Sequence, residues 1–387
     1  MSWPVVELSE VCSRVSVGHV GKTSEYYTDE TGIPFLRTQN VSKTGLNMSD
    51  VLYVTHEFHE KLKKSQLFPG DVVLSRVISS QINCAVIPNG FGVANCANII
   101  LVRPDPTKLD SEFLNYYLKS EIAQRNLMKR QVGSAQSVVN TSVLKSWEIP
   151  LPPLDEQKRI AAILDKADSV RRKRQQAIDF ADDFLRSVFL DMFGDPVTNP
   201  KGWEVYRMGD VIDFKGGHQP PKDTFIYEPK EGYVRLIQIR DFKSDKYLTY
   251  IPEAKAKRHF EKDDVMIARY GPPVFQILRG LEGSYNVALM KAIPKGKILK
   301  SFIYYLLQVP AYHDVVVANS ERTAGQTGVN LDLLNNFSLP LPPVSEQEKI
   351  IKTMTKMEIA MKRFNKHGVC ADDLFNSLSQ KAFAGEL

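Results

Sequence analysis

Leu151-Pro152-Pro153-Leu154-Asp155-Glu156-Gln157-Lys158-Arg159-Ile160 returns 190 residues later as Leu341-Pro342-Pro343-Val344-Ser345-Glu346-Gln347-Glu348-Lys349-Ile350. In each copy two prolines hold an extended arm and bias the residue before them away from helix. Asp155 and Ser345 then stand where an N-cap is wanted, and acidic residues follow where the helix dipole favours them. Ser345 with Glu348 also has the spacing of a capping box. Each copy therefore opens a helix.

Behind the first cap, apolar or small residues recur at Ile160, Ile163, Ala167, Val170, Ala177, Ala181, Phe184 and Val188, with Arg174 as the one charged intruder. Behind the second they recur at Ile350, Met354, Met357, Met361, Phe364, Gly368, Ala371, Phe375, Leu378 and Ala382. Steps of three and four sustained over about five heptads are the pattern of a coiled-coil seam. A helix from Asp155 to Phe193 would be roughly 58 Å long at about 1.5 Å per residue. Gly194 followed by Pro196 is its expected stop. Two helices of matching length and pattern are expected to pair with each other. Asn365, His367 and Gly368 weaken the second one locally, and a kink or close helix approach is expected there.

The duplication reaches beyond the helices. Trp3-Pro4-Val5 is answered by Trp203-Glu204-Val205, and Pro34-Phe35-Leu36-Arg37-Thr38-Gln39-Asn40 by Arg235-Leu236-Ile237-Gln238-Ile239-Arg240-Asp241. Gly70-Asp71-Val72-Val73-Leu74-Ser75-Arg76 is answered by Asp263-Asp264-Val265-Met266-Ile267-Ala268-Arg269. Phe113 to Tyr117 matches Phe302 to Leu306, and Gln136, Val139, Asn140 and Leu144 match Gln326, Val329, Asn330 and Leu334. The offset drifts from 200 to 190, so the copies differ by loop insertions, and loops are where binding specificity usually lives. Short apolar runs such as Val72-Val73-Leu74 and Ile99 to Val102 read as strands bounded by Pro-Gly and Asn-Gly turns, and Ser111 to Lys119 and Lys300 to Gln308 as short helices. The expected fold is α+β: two similar domains separated by two long antiparallel coiled-coil helices, a pseudo-two-fold internal repeat. The expected segments are a first domain over 1–149, a central helix over 150–194, a second domain over 195–338 and a C-terminal helix over 339–387.

Composition narrows the class. With 43% hydrophobic and 25% charged residues over 387 positions the chain reads as globular, with room for two domains. No apolar run approaches bilayer length, and Met1-Ser2-Trp3-Pro4 lacks the basic and apolar regions of a signal peptide. Cys12, Cys84, Cys96 and Cys370 are scattered without a Cys-x-x-Cys pair, which suits free cytosolic thiols better than a zinc site or disulfide frame. A net charge of +5 permits an acidic partner without demanding one.

No catalytic centre emerges from the residues. Phe214-Lys215-Gly216-Gly217 and Gln219-Pro220-Pro221-Lys222 match neither the glycine-rich cofactor turn nor the Asn-Pro-Pro-aromatic loop of a DNA methyltransferase. Glu253-Ala254-Lys255 has no matched upstream acid for a nuclease centre. There is no P-loop, and the seven histidines form no metal-ligand spacing.

The paired Leu-Pro-Pro-x-x-Glu-Gln openings, the heptad helices behind them and the two divergent modules before them resemble the specificity (S) subunit of type I restriction–modification systems, over essentially the full chain. That resemblance implies two target-recognition domains, each reading half of a split double-stranded DNA site, with the helices as a ruler between them. It implies two modification (adenine methyltransferase) subunits and restriction (endonuclease/translocase) subunits as partners. It also implies S-adenosylmethionine, ATP and Mg on those partners, no cofactor, metal or catalytic residue in this chain, and a prokaryotic cytoplasmic setting.

On that footing, base reading is expected from polar and basic residues in the paired segments, because Arg reads guanine bidentately and Asn or Gln reads adenine. In the first module these are Arg37, Gln39, Asn40, Arg76, Gln81, Asn83 and Gln136; in the second they are Gln238, Arg240, Arg269, Tyr270, Gln276, Arg322 and Gln326. Lys61, Lys63, Lys64, Lys255, Lys257 and Arg258 are expected at phosphates, where contacts add affinity without sequence information. Arg171-Arg172-Lys173-Arg174 lies mid-helix and reads first as a solvated face, second as a docking face and third as a DNA contact. The competing classes are a non-catalytic coiled-coil assembly scaffold without DNA readout, and an enzyme whose centre has no familiar motif.

Overall fold

The computed structural model describes residues 3–78, 82–130, 137–138, 140–271, 273–320, 328–366 and 369–387, with side chains undescribed for 77–78, 127–130, 137–138, 363–366 and 369–370. The chain divides into two compact units. The first holds Met1–Gln175 and His367–Leu387, the second Gln176–Lys366. Each unit is therefore a globular module together with a stretch of the Leu154–Phe193 helix and one of the C-terminal helices.

In the first unit, strand Val5–Glu7 pairs antiparallel with Glu148–Pro150, so the module's two ends meet. Between them a four-stranded antiparallel sheet runs in the order Cys84–Val86, Val72–Ser75, Ile99–Pro104, Cys12–Val17. A five-stranded sheet runs Tyr27–Thr28, Leu52–Val54, Ile33–Leu36, Ala94–Cys96, Gln66–Leu67, with Ile33–Leu36 and Ala94–Cys96 parallel. The central strands are apolar on both faces because both are covered. Val72, Leu74, Ile100 and Val102 pack into a cluster that holds Phe113 and Trp147. Val73, Ala85, Ile99 and Leu101 pack into a second cluster with Leu36 and Cys96. The period of two along a strand sends neighbours to opposite faces.

The second unit repeats this plan. Glu204–Arg207 pairs antiparallel with Ser338–Leu341. Its first sheet runs Ile277–Leu278, Val265–Ala268, Leu289–Pro294, Ile212–Gly216, the order of the first unit strand for strand. Tyr233–Ile237 and Gly283–Tyr285 form the matching parallel pair. Val265, Ile267, Met290 and Ala292 face the cluster that holds Phe302, while Met266 and Leu289 face the other with Tyr285.

One buried acid stands before the central strand of each unit. Asp71 accepts the Phe68 amide at 2.7 Å and Arg103 bidentately at 2.7 and 2.8 Å. Asp264 accepts the Glu261 amide at 2.9 Å and pairs with Lys291 at 2.9 Å and Lys300 at 2.8 Å. Burial would lift the Asp264 carboxyl, but its hydrogen bonds from Lys300, the Glu261 amide and Lys291 hold it below the ordinary value.

The doubled motif is a clasp. Gln157 is fully buried: its Nε2 donates to the Pro152 carbonyl at 2.8 Å and the Lys108 carbonyl at 2.9 Å, and its Oε1 accepts the Asp110 amide at 2.8 Å. Gln347 does the same with Pro342, Lys297 and Leu299 at 2.8, 2.9 and 2.9 Å. A fully used primary amide is tolerated in the interior because no donor or acceptor is orphaned. Each clasp ties a helix start to the loop that opens the module's Ser111–Lys119 or Lys300–Leu306 helix.

The helices follow Leu154–Phe193, Val344–Lys366 and Val369–Ala384. In the first unit Arg159 Nη2 donates to the Leu387 carbonyl at 2.8 Å. Twelve residues further along, Arg171 lies over Phe375, twelve residues back from Leu387, at 4.6 Å from the ring centroid. The two segments therefore run in opposite directions. In the second unit Phe189 and Phe193 share a cluster with Ile350 and Met354. The seam expected at heptad spacing is corrected on the first helix. Val170 and Phe184 are 57% and 58% exposed. Ile163, Ala167 and Val188 are half-buried, whereas Gln157, Ile160, Leu164, Asp168, Phe189 and Phe193 are buried. The covered positions keep the 3.6-residue pitch of an undistorted helix, and a stripe drawn at 3.5 drifts off it by about 20° per heptad. On the C-terminal helices Met354 is buried, and Met357, Met361, Phe375 and Leu378 are half-buried on the covered side. The Phe364 side chain, His367 and Gly368 lie outside the described residues.

Arg171 is also not a solvated residue. It holds Asp168 at 2.5 Å and reaches Asp372 at 4.0 Å while its guanidinium covers Phe375, so it belongs to the packing of its own unit. Arg172 pairs with Asp168 at 3.4 Å and Asp165 at 3.8 Å.

Candidate nucleic-acid interface

The turn after Ile33–Leu36 is a single 3₁₀ turn, Thr38–Asn40. Its third residue reaches back to its cap: the Arg37 amide donates to Asn40 Oδ1 at 2.8 Å, and Asn40 Nδ2 donates to the Asn47 carbonyl at 2.9 Å. Asn40 is 1% exposed. Its amide holds the loop, which removes it from the base-reading surface expected of it. Gln39 beside it is exposed, with Nε2 on Asp50, and Arg37 bonds the Asp50 carbonyl at 3.3 Å. In the second unit the turn Ile239–Phe242 after Tyr233–Ile237 has the same build, the Gln238 amide donating to buried Asp241 at 2.6 Å. Arg240 is exposed there, its guanidinium 5.4 Å from the Tyr247 ring centroid.

Three further strand ends converge on each turn. In the first unit His19, just beyond strand Cys12–Val17, donates its amide to the Cys96 carbonyl at 2.8 Å, and Asn98 donates to the His19 carbonyl at 3.1 Å. Thr38 Oγ1 donates to the Asn98 carbonyl at 3.2 Å, which ties the 3₁₀ turn to that end. Asn98 takes φ +56°, a left-handed conformation that Asn tolerates. In the second unit the His218 amide donates to Tyr285 at 3.1 Å, Asn286 to Ile237 at 3.2 Å, and Arg269 to Ala288 at 2.8 Å. A Cβ on Gly217 would stand 2.0 Å from the Asn286 carbonyl oxygen, and one on Gly18 2.6 Å from Cys96 Sγ. The glycine before each histidine is therefore obligatory for the close approach of the strand ends. Sequence reasoning passes over this Gly-His pair, although its recurrence is visible in the two halves.

Arg76 and Arg269 follow the central strand of each unit, and Asn83 and Gln276 sit opposite them through the bonds Ser75 amide to Asn83 carbonyl and Ala268 amide to Gln276 carbonyl, both 2.9 Å. The Arg269 guanidinium lies 5.1 Å from the Tyr270 ring centroid. Gln276 Nε2 donates to the Pro273 carbonyl at 2.8 Å. Among the described residues, solvent-sheltered side-chain atoms without a hydrogen-bond partner at these turns are His19 Nε2, Arg37 Nε, Arg76 Nε, His218 Nδ1 and Arg269 Nε, while Asp241 Oδ1 stands 3.7 Å from the Arg235 guanidinium.

Lys61 is exposed and paired with Glu57 at 2.6 Å; Lys63 and Lys64 are exposed on a 3₁₀ turn leading to edge strand Gln66–Leu67, across Ala94–Cys96 from the Arg37 turn. Lys255 and Lys257 are exposed and Arg258 is half-buried. Gln81, Gln136, Arg322 and Gln326 lie outside the described residues. Burial pushes the Cys12 and Cys96 thiols up to about 12 and that of Cys84 to about 11, so all three stay protonated at neutral pH. Among the described residues no helix is long and apolar enough to cross a membrane.

A family model described as the type I restriction modification DNA specificity domain matches residues 2–179 and again 200–367. The chain is 26% identical, over 95% of its length and 90% of the relative's, to a Methanocaldococcus jannaschii protein provisionally named as the type I restriction enzyme MjaX specificity subunit. It is 21% identical to the EcoKI specificity subunit of Escherichia coli K12, covering 100% of this chain and 89% of that one. The fold is similar to that of the type I restriction-modification S subunit from M. genitalium, with a TM-score of 0.54 at 16% identity over 99% of this chain and 96% of that one.

Proposed function

The chain belongs to the type I restriction modification DNA specificity family, and from that premise we propose that it is the DNA specificity subunit of a type I restriction–modification complex, reading a bipartite target with one module per half-site. The observation that carries the reading is the pair of equivalent strand-end clusters with unlike side chains. Arg37, Gln39 and Asn83 in one unit stand where Gln238, Arg240 and Gln276 stand in the other, on the same backbone plan. Two readers that share a scaffold and differ in Arg, Gln and Asn are what two different half-sites require, because those side chains discriminate base edges in the major groove.

The proposed base readers are Gln39 and Arg76 in the first unit, and Gln238, Arg240 and Arg269 in the second. Buried Asn40 and Asp241 shape the turns. His19 and His218 join the candidates on position alone. Lys61, Lys63, Lys64, Lys255 and Lys257 supply phosphate affinity. The chain itself is non-catalytic in this reading: it docks modification subunits, which bring S-adenosylmethionine, and restriction subunits, which bring ATP and Mg. The test is selection from a random duplex pool by the chain together with its modification subunit. A split site with a fixed gap supports the proposal; selection of no sequence favours a plain assembly scaffold.

A further inference from the structure

We infer that each unit positions a base reader from one equivalent place: Asp50 orients the Gln39 amide in the first unit, and Tyr247 holds the Arg240 guanidinium in the second. The inference deepens, and rests on, the reading of this chain as a DNA specificity subunit.

That place is set by strand register. In the first unit Phe35 pairs with Leu52, so two steps further along both segments Arg37, the cap of the 3₁₀ turn, falls opposite Asp50. In the second unit Arg235 pairs with Tyr250, and three steps on the cap Gln238 falls opposite Tyr247. The reader stands two residues beyond the cap in both units, as Gln39 and as Arg240.

Hydrogen bonds fix the loop that delivers Asp50. Asn47 Oδ1 accepts the Ser49 amide at 3.0 Å and the Ser49 hydroxyl at 2.8 Å. The Asp50 carbonyl accepts from Arg37 Nη2 and from buried Asn40 Nδ2, both at 3.3 Å. The Asp50 carboxylate then accepts from Gln39 Nε2, with the Arg37 guanidinium 3.6 Å away. An ionised carboxylate only accepts, so the Gln39 amide has one permitted orientation. One hydrogen of Nε2 is engaged by Asp50, which leaves the other hydrogen and Oε1 for a base. A donor beside an acceptor suits adenine N7 and its N6 amino group, whereas guanine presents two acceptors on that edge. A glutamine without the acid could turn its amide over and lose that choice. A carboxylate beside a polyanion also works against plain phosphate affinity, so Asp50 suits discrimination and not grip.

Arg240 needs a different partner. A guanidinium carries donors only, so it has no direction to choose, and it suits the paired acceptors of guanine. What it lacks is restraint. Tyr247 is 55% exposed, and its ring centroid lies 5.4 Å from the Arg240 guanidinium, within cation–π range. Stacking on a ring restrains a guanidinium without occupying its donors. Lys246 approaches the same ring at 5.3 Å, and the neighbouring Asp245 is paired with Arg235 at 2.7 Å. Holder and reader therefore change together between the units, acid with amide and ring with guanidinium. That joint change carries the inference.

The experiment selects random duplexes with the full chain and its modification subunit. The chains are wild type, Gln39→Ala, Asp50→Ala, Asp50→Asn, Arg240→Ala, Tyr247→Ala and Tyr247→Phe, each checked by thermal melting. The position whose preference vanishes in Gln39→Ala should be an A·T pair, and Asp50→Ala should weaken that preference at least fivefold. Asp50→Asn should weaken it as well, because an amide keeps the shape but both donates and accepts. Gln39→Ala combined with Asp50→Ala should lose no more than Gln39→Ala alone, and Asp50→Ala should bind unselected duplex at least as tightly as wild type. In the second unit Tyr247→Ala should weaken at least fivefold the preference that Arg240→Ala abolishes, and Tyr247→Phe should retain it. Unaltered preference in Asp50→Ala or Tyr247→Ala overturns the inference, as does a G·C pair at the Gln39 position. A loss spread over the whole half-site with a lower melting temperature also overturns it, since it would give the holder a role in the fold alone. A Gln39→Ala chain that still selects the wild-type site overturns the inference and leaves the DNA-specificity reading standing. A wild-type chain that selects no sequence overturns both.

Discussion

Gln157 and Gln347 each spend a whole side-chain amide on three backbone partners, and the two sets match bond for bond. Replacing Gln157 with Ala strands the Asp110 amide and two carbonyls in the interior. Each buried orphan costs about 1–3 kcal/mol, so the variant should lose at least ~2 kcal/mol by urea unfolding. Gln347→Ala should lose a similar amount, and because the two share no partner their effects should add when both are changed. A variant within ~0.5 kcal/mol of wild type would mean that water or a loop shift replaces the clasp.

Asp264 gives the second unit a specific acid sensitivity. Its carboxyl is held below the ordinary value by Lys300, the Glu261 amide and Lys291 against the effect of burial. A folded-state value below the unfolded one contributes stability that is complete above the unfolded value and is lost as pH falls through the folded one. Asp264→Asn should therefore cost roughly 1–3 kcal/mol near pH 7. That gap should close as the wild type is titrated below the ordinary aspartate value, which melting curves from pH 7 to pH 3 will show.

Arg269→Ala should relax the preference at one base pair of a single half-site, costing about 1–3 kcal/mol of discrimination, and leave the other half-site unchanged. Arg76→Ala should do the converse. Selection and sequencing of bound duplexes separates the two. Loss of both half-sites together in either variant would show that the arginine holds the fold and not the base.

Asn40 and Gln39 are neighbours with opposite expected phenotypes. Asn40→Ala should lower the first unit's melting temperature, because Asn40 is buried and bonded within its loop. Gln39→Ala should leave melting within ~1 °C, a surface substitution by its exposure, while altering base preference. The reverse pattern would exchange their roles.

Lys63→Ala with Lys64→Ala should weaken binding to all duplexes alike. The slope of log affinity against log salt should become shallower by about 0.9 for each phosphate that a lysine no longer neutralises. An unchanged slope removes those lysines from the interface.

Much of the fold can be read from residues alone because the duplication is written in signals with a physical cause. The central strands Val72 to Ser75 and Val265 to Ala268 stand where turn chemistry and apolar runs put them, whereas Asp155 and Ser345, expected as N-caps, lie inside helices that begin at Leu154 and Val344, the carbonyls of Pro153 and Pro343 accepting the first bonds. Heptad counting misplaces the covered face of the long helix at Val170 and Phe184. Heptad and 3.6-residue counting agree for two turns and then diverge, and only the packing partner decides between them. At the candidate interface, residue type leads correctly to the turns but does not separate Asn40, which holds the loop, from Gln39, which faces outward. Burial depends on the Asn47 and Asp50 carbonyls, and no local pattern announces them. His19 and His218 escape because the comparison of the two halves stops short of the strand ends.

The Pro4 carbonyl accepts the Leu151 amide at 2.8 Å and the Leu387 carbonyl accepts from Arg159, so residues 4 and 387 sit beside two points only eight residues apart on the same stretch. Three extended steps at about 3.3 Å and five helical ones at about 1.5 Å make that interval at most roughly 17 Å, a span that a short flexible peptide bridges. Residues 4 and 387 of the first unit are thus within reach of a short linker. Joining those two positions and opening the chain instead at an exposed turn such as Asn89-Gly90 should yield a circular permutant that folds, with the order of its two halves in the gene carrying no structural meaning.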